Sequence, residues 1–502
     1  MLSAATDRLD RLRTRLPRPE ILLGWLVVAH VVLKILIFPL VMSSPPHGDE
    51  QAYLNGGMAL SNTLRDLGAF TTPDWAELDR NLVASGWFMP GMSIVVAPLY
   101  LVFPDAGPGL VRGYIGLFSL ILFVAVLRHV ARTLGPRWAC VLAVFPGLVP
   151  MYVVFSYGAW GDLYAGLFLL LVVLRLIEMF RGLREGRPPT VREGLMLGLL
   201  SIVTLYLRSS TSILLAGLGV VTLVAALVML RGRARWRAVG SAAVAGVLFV
   251  VLLAPWSVYA SEVLGGRVLT TTTLPTVKAN TFGDREQVCF GECDPGSTLW
   301  FRPLRYAREV GRATDTSEVD VLKVMSSYAL HDVTVGGYLD QVDHNLAAYS
   351  LQPAVFMHHL KPVDGRSAVG TVGSWGVRLS TWIMYFPVLL LVAASLVTVA
   401  RRSLEARLLD VLVKLSLGGL LVQPFVHIAG GRYWTTAGPF FGLAAAIYLR
   451  ERFVSRTPSE APPDGVVTAT DATIVTWLGR VQVLLAAATA VVAVVLAAAI
   501  VI

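Results

Sequence analysis

Apolar runs long enough to cross a lipid bilayer recur along almost the whole chain, and few folds can accommodate that pattern. A helix needs about 20 such residues to span hydrocarbon. Runs near this length lie at 21–42, 109–130, 138–155, 162–180, 194–207, 212–230, 238–258, 379–400, 408–427, 434–450 and 477–501. Backbone polar groups in lipid must be bonded within their own segment, so these runs predict helices. The expected class is an all-α polytopic membrane protein with about eleven transmembrane helices. Composition agrees, since 55% of residues are hydrophobic and only 15% are charged, a balance that excludes an ordinary soluble domain.

The formal charge of +9 does not point to nucleic acid, because the basic residues are spread over short loops. They indicate orientation instead. Arg8, Arg11, Arg13, Arg15 and Arg18 precede the first span and place the N-terminus in the cytoplasm. Arg128, Arg132 and Arg137 follow, then Arg181 to Arg192, Arg231 to Arg237, Arg401 to Arg407 and Arg450 to Arg456, in every second loop. The apolar stretch Phe88–Phe103 would invert this order if it spanned. It is short and contains Pro90 and Pro98, and so reads as a re-entrant or interfacial helix. Ser43-Ser44-Pro45-Pro46 offers no signal-peptidase site, so the first span is expected to be retained. Lys34 within that span either faces the bundle or reaches to the interface.

Three parts are expected. Residues 1–258 form a transmembrane core with an external first loop, 43–108. Residues 259–378 form a large external loop or domain, too long for a passive connector. Helical patterns lie there near Leu304–Ala313, Ser317–Leu330 and Val335–Leu351. Residues 379–502 supply the remaining helices, with a polar cytoplasmic linker at 451–476. Cys289 and Cys293 lie in the large external loop, where an oxidising compartment favours a disulfide between them. Cys140, within a span, reads as a small hydrophobe. His344, His358 and His359 lack metal-ligand spacing. No internal repeat is evident, which counts against a transporter.

This topology brings polar groups to one membrane face. Asp49 and Glu50 follow the first span; Tyr157, Trp160 and Asp162 lie in one later turn, Arg208 in another, and Arg432, Tyr433 and Trp434 in a third. Ordinary structural roles are open to several of them. Asp162 suits a helix N-cap, Arg208 a helix end, and the aromatic residues an interfacial belt. Arg432 is more telling, because it opposes the charge rule in a very short external loop. Acids and arginines at one face suit sugar transfer. A carboxylate can take the proton of an acceptor hydroxyl, and a phosphate leaving group needs only a cation to stabilise it. Nucleotide sugars are cytoplasmic, so an external site implies a donor carried across on a polyprenyl phosphate.

At this point the chain resembles the GT-C superfamily of membrane glycosyltransferases, especially the branch of protein O-mannosyltransferases and lipid A aminoarabinose transferases. His47-Gly48-Asp49-Glu50-Gln51-Ala52-Tyr53 is similar to that family's Asp-Glu-x-x-Tyr motif. Trp87-Phe88-Met89-Pro90-Gly91 resembles its proline-containing helix, Ala254-Pro255-Trp256 the opening of its large loop, and Gly431-Arg432-Tyr433 with Gly438-Pro439 its last core span. The four pieces occur in the family's order and cover about 21–450. The resemblance implies an inverting enzyme with Asp49 as catalytic base and with Asp162 helping to shape the site. Glu50 beside Asp49 is the second catalytic candidate, and His47, like Asp162, is a site-shaping or metal-holding one. It departs from phosphate-sugar users at Gln51, Ala52 and Met89, where a basic residue is common. Phosphate binding then falls to Arg432, with Tyr433, and to Arg208 or Arg80.

No cofactor is assured, although Asp49, Glu50 and Asp162 could together hold Mg²⁺ or Mn²⁺ through oxygen ligands. The expected partners are a polyprenyl-phosphate-linked sugar, a glycan, lipid or protein acceptor, and membrane lipids. The expected location is a bacterial plasma membrane with the active site outside. Two alternatives remain open. An O-antigen polymerase or ligase would not need Asp49-Glu50 at the first helix exit. A transporter or flippase for a lipid-linked sugar would place its ionisable groups near the bilayer midplane.

Overall fold

The computed structural model describes residues 17–283, 302–354, 368–427, 431–453 and 469–501. Among these residues all regular structure is helical, and the protein is a multi-pass membrane protein. Eight helices are both long and apolar enough to cross a bilayer. Six of them begin the description: α1 (Pro19–Val41), α4 (Pro108–Thr133), α7 (Gly161–Arg184), α9 (Ser212–Met229), α10 (Gly232–Leu264) and α15 (Ala368–Leu396). The other two are α16 (Leu404–Leu421) and α18 (Ala469–Val501). Between α1 and α4 lie α2 (Asp49–Gly68) and α3 (Gly91–Val102).

The eleven runs read from the sequence resolve into these eight and three helical stretches of a different kind. The run at 138–155 is broken into α5 (Pro136–Val144) and α6 (Pro150–Phe155). Pro146 lies in the break and has no N–H to continue the ladder, and Pro150 opens the second piece. The run at 194–207 is α8 (Val191–Leu207), started by a capping box in which Thr190 and Glu193 satisfy each other's backbone. The last is α17 (Trp434–Phe453), a buried helix rich in Gly, Thr and Ala rather than long aliphatic residues.

Packing follows from which helices can be covered. In α7, 67% of the apolar window is buried, against 11% in α18, so α7 is the axis and α18 lies at the periphery. α7 packs on α8 and α17, α8 on α10, and α15 on α17. Lys34, on α1, faces the bundle: its Nζ donates to Ser119 Oγ at 2.9 Å and also to Ser156 Oγ. These bonds offset the cost of burying an ammonium. Cys140 is buried as a free thiol.

At about 18 Å, the twelve residues of α3 are too short to cross about 30 Å of hydrocarbon. α3 packs against α2, an amphipathic helix whose buried face includes Leu54, Ala59 and Thr63. α10 is the opposite case. It continues through Pro255 and Trp256, where a loop is expected, as far as Leu264. At 33 residues it is about 50 Å long, more than the ~30 Å of hydrocarbon a spanning helix must cross. Its projecting turns are tied to neighbours, Trp256 Nε1 donating to Thr270 O at 2.6 Å and Tyr259 OH to Asp79 Oδ1 at 2.5 Å.

All three helical patterns expected after α10 are present, preceded by α11 (Thr273–Phe282): α12 (Arg302–Thr314), α13 (Glu318–Ala329) and α14 (Val335–Leu351). Leu304, Ala307, Leu322 and Met325 close a small second core over Trp87, in the segment between α2 and α3. Thr272 N donates to Gly86 O at 2.9 Å, and Arg308 to Ser85 Oγ at 2.7 Å. The two non-spanning regions therefore form one layer at the same end of the bundle. The Cys289–Cys293 pair lies outside the described residues.

The end carrying α2, α3 and α11–α14 is expected to face outward. In a background without native cysteines, Phe70→Cys, at an exposed position, should react with a membrane-impermeant thiol reagent on intact cells. Arg184→Cys and Arg233→Cys should react only after permeabilisation. Labelling of Arg184→Cys from outside would invert the topology.

Candidate functional site

Among the described residues, three acidic residues meet three arginines at this end of the bundle in three ion pairs. The first acid, Asp49, opens α2. Gly48 before it has φ +58°, a backbone state that side-chain-bearing residues rarely adopt, and this turn aims the first residue of α2 inward. A carboxylate in the first turn also suits the positive end of the helix dipole. Arg432 Nη2 lies 2.8 Å from Asp49 Oδ2.

Glu50, the next residue, is wholly buried. Arg112, near the start of α4, grips both its oxygens, with Nη2 2.8 Å from Oε2. Ala159 N donates to Glu50 Oε1 at 2.8 Å, and Arg112 also donates to Tyr157 O and Ser44 O, each at 3.2 Å. One ion pair thus joins the exit of α1, the start of α2, the start of α4 and the turn before α7.

Asp162, in the first turn of α7, pairs with Arg208, the residue that ends α8. Their meeting depends on Gly161, where any Cβ would strike the Leu207 carbonyl. Helix α7 can start against the end of α8 only because that atom is missing.

The arginines are separated by aromatic rings. Tyr433 lies between two of them, with Arg208 Cζ 4.4 Å and Arg432 Cζ 4.8 Å from its ring centre. Trp160 covers Arg432 at 4.6 Å. These contacts hold cations near one another by attraction to the ring faces. Arg432 Nη2 donates to the Tyr433 hydroxyl at 3.1 Å. The segment carrying Arg432 is fixed from α14, where Asn345 donates to Pro424 O at 3.0 Å, and by Trp434 Nε1, which donates to Pro353 O at 2.9 Å. Tyr53, one turn along α2, packs against Phe88 with 5.1 Å between ring centres and the rings tilted at 55°. Desolvation, and then the Asp49 and Asp162 charges, push its phenol above the usual range. It therefore stays protonated at neutral pH.

Solvent access separates the three acids. The side chain of Asp49 is 26% exposed, against 4% for Asp162 and none for Glu50. Asp49 is the carboxylate within reach of an incoming molecule. Glu50 and Asp162 act on their surroundings through the arginines they hold. His47 is exposed in the turn before Gly48, and Arg80 is exposed on the segment between α2 and α3. Arg112 is not among the residues the sequence singles out. Its signal is the one that marks Arg432, an arginine at the wrong end of an apolar run.

Among the described residues no group of three or more His, Cys, Asp or Glu side chains is placed to hold a metal. Asp49, Glu50 and Asp162, the residues offered as Mg²⁺ or Mn²⁺ ligands, each face an arginine.

No protein-family model and no curated protein matches the chain. Two solved structures are similar to it. One is the apo crystal structure of the Archaeoglobus fulgidus oligosaccharyltransferase, with a TM-score of 0.43 and 11% identity over 94% of this chain and 56% of that one. The other is the archaeal oligosaccharyltransferase AglB from the same organism in complex with an inhibitory peptide and a dolichol-phosphate, with a TM-score of 0.37 and 11% identity over 92% and 55%. This chain spans about half the length of those proteins. Similarity at this level assigns no residue and no activity.

Breaking the central pair should be costly. Arg112→Met leaves Glu50 buried and unpaired, and is expected to lower unfolding stability in detergent by roughly 3–5 kcal/mol. Adding Glu50→Met should recover most of that loss, because the unpaired charge is then gone. A single variant as stable as the native protein would remove Glu50–Arg112 as the anchor of α2.

Proposed function

We propose that this protein is an inverting membrane glycosyltransferase that moves a sugar from a polyprenyl-phosphate donor to an acceptor hydroxyl. The observation that carries this reading is Asp49. It is the most exposed of the three clustered carboxylates and lies 2.8 Å from a guanidinium that can also serve a phosphate. Its site is at the end of the bundle opposite the arginine-rich loops, which supports an external site and a lipid-borne donor. The GT-C resemblance of the Asp49-Glu50-Gln51-Ala52-Tyr53 and Arg432-Tyr433 segments supports the same reading.

In the proposed step Asp49 takes the acceptor's proton as the hydroxyl oxygen attacks the sugar's anomeric carbon. The bond from that carbon to the phosphate oxygen breaks on the opposite face, and its electron pair leaves with the polyprenyl phosphate. Arg432 and Arg208, spaced by Tyr433, offer cations to the phosphate as its charge grows. Glu50 is a positioning residue, setting the start of α2 through Arg112. Asp162 has the same role for Arg208. An acceptor on a glycan, a lipid or a protein would each satisfy this chemistry.

The test is transfer from synthetic polyprenyl-phosphate sugars to envelope extracts, read by mass spectrometry. Asp49→Asn should lower turnover by about 10²–10⁴-fold with donor binding retained. Arg432→Ala should weaken donor binding and slow transfer together, since it serves ground state and transition state alike. Near-normal transfer by Asp49→Asn would end its assignment as base. Lipid-linked sugar crossing the membrane with no glycosidic bond formed would replace the enzyme with a transporter.

A further inference from the structure

At the opposite, basic end of the bundle, three arginines have no acidic partner among the residues whose side chains are described. Arg401 follows α15, Arg407 is the fourth residue of α16, and Arg480 lies on α18 inside its apolar window Ile474–Val495. All three line one open groove of about 600 Å³, floored by Val399, Val483 and Leu484. The described acids nearby are already engaged. Glu405 holds Arg181 at 3.0 Å, and Glu451 faces Arg402 at 3.5 Å and accepts from the Arg401 backbone N–H at 3.0 Å. Asp410 is taken by Lys414 at 3.0 Å and by Gln482. Among the residues whose side chains are described, no carboxylate is paired with the guanidiniums of Arg401, Arg407 and Arg480.

Each of these placements is unfavourable alone. A cation near the start of α16 opposes its helix dipole. An arginine on an exposed face of a spanning helix is costly without a partner. Like charges around one groove repel. An anion shared among the three would offset all of these terms. The groove also has an apolar side, with Val483 and Leu484 59% and 68% exposed. A soluble phosphate would gain nothing from that side, whereas a lipid's chains would cover it. A second basic groove of similar size carries Arg128 and Arg132 on α4. It is built on one helix, and its His129 already faces Glu178 at 3.3 Å.

We propose that the groove between α15, α16 and α18 binds an anionic phospholipid of the phosphatidylglycerol type. The phosphodiester sits among Arg401, Arg407 and Arg480, with an acyl chain along Val483 and Leu484. α18 is the least buried of the spanning helices, at 11% of its apolar window, so a lipid wedged here joins a peripheral helix to α16. Basic pockets between membrane helices suit such headgroups. The site lies at the other end of the bundle from Asp49 and does not depend on the glycosyltransferase reading.

The test is native mass spectrometry of the full chain, delipidated and titrated with phosphatidylglycerol or phosphatidylcholine of the same chain length. Phosphatidylglycerol should bind in preference. The combined variant Arg401→Gln, Arg407→Gln, Arg480→Gln should weaken its binding on the order of a hundredfold. The corresponding lysine variant should keep most of it, and Arg128→Gln with Arg132→Gln should change little. Should the triple glutamine variant fail to fold, Arg480→Gln alone is expected to lose about fivefold. Equal binding of the two lipids, or full phosphatidylglycerol binding by a folded glutamine variant, would overturn the proposal. Displacement of the lipid by inorganic phosphate alone would also overturn it, making the groove a site for soluble anions.

Discussion

The buried pair of Glu50 and Arg112 is the constraint on which the site end of the molecule depends. An unpaired charge at such depth would be intolerable, so the pair must close, and closing it brings four chain segments together. Ser44, Tyr157 and Ala159 complete the bonding of the two charged groups. The start of α2 is thereby fixed, and with it the neighbouring Asp49. A partly exposed carboxylate beside a rigid one is a division of labour: one residue is immobilised so that the next can be presented.

Fixing Arg432 takes a different route. Its segment is short and is held from above by α14 and from within by Trp434. The layer that does the holding is itself pinned to the first non-spanning region by Thr272 and Arg308. The last turns of α10 lead into this layer, and Tyr259 ties them to Asp79. Residues far apart in the chain, 49 and 432, thus reach hydrogen-bond distance through rigid helices rather than through a flexible loop.

Much of this was legible beforehand because hydrophobic length and charge alternation are strong signals in membrane proteins. The loops read as sharing one face do contribute Asp49, Glu50, Asp162, Arg208, Arg432 and Tyr433 to one cluster. The three amphipathic helices after α10 were equally clear, since their periodicity is not masked by uniform apolarity. Less visible were features that depend on packing. The break between α5 and α6 lies in an apolar run whose hydropathy barely changes at Pro146. The extension of α10 past Pro255 depends on partners that no local pattern reveals. Arg112 was hidden because one arginine near a span end looks like an anchor until its carboxylate is found.

The pairing of the three acids with three arginines has an electrical consequence. At rest the cluster sums to zero. In the proposed transfer, Asp49 loses a negative charge by taking a proton just as the departing phosphate gains one. The total is conserved, and negative charge is only relocated across the site. Arg432, already beside Asp49, can turn toward the phosphate as its first partner is neutralised. A guanidinium in that position acts as a ballast that shifts with the load, so the site need never hold a net charge created by the reaction itself.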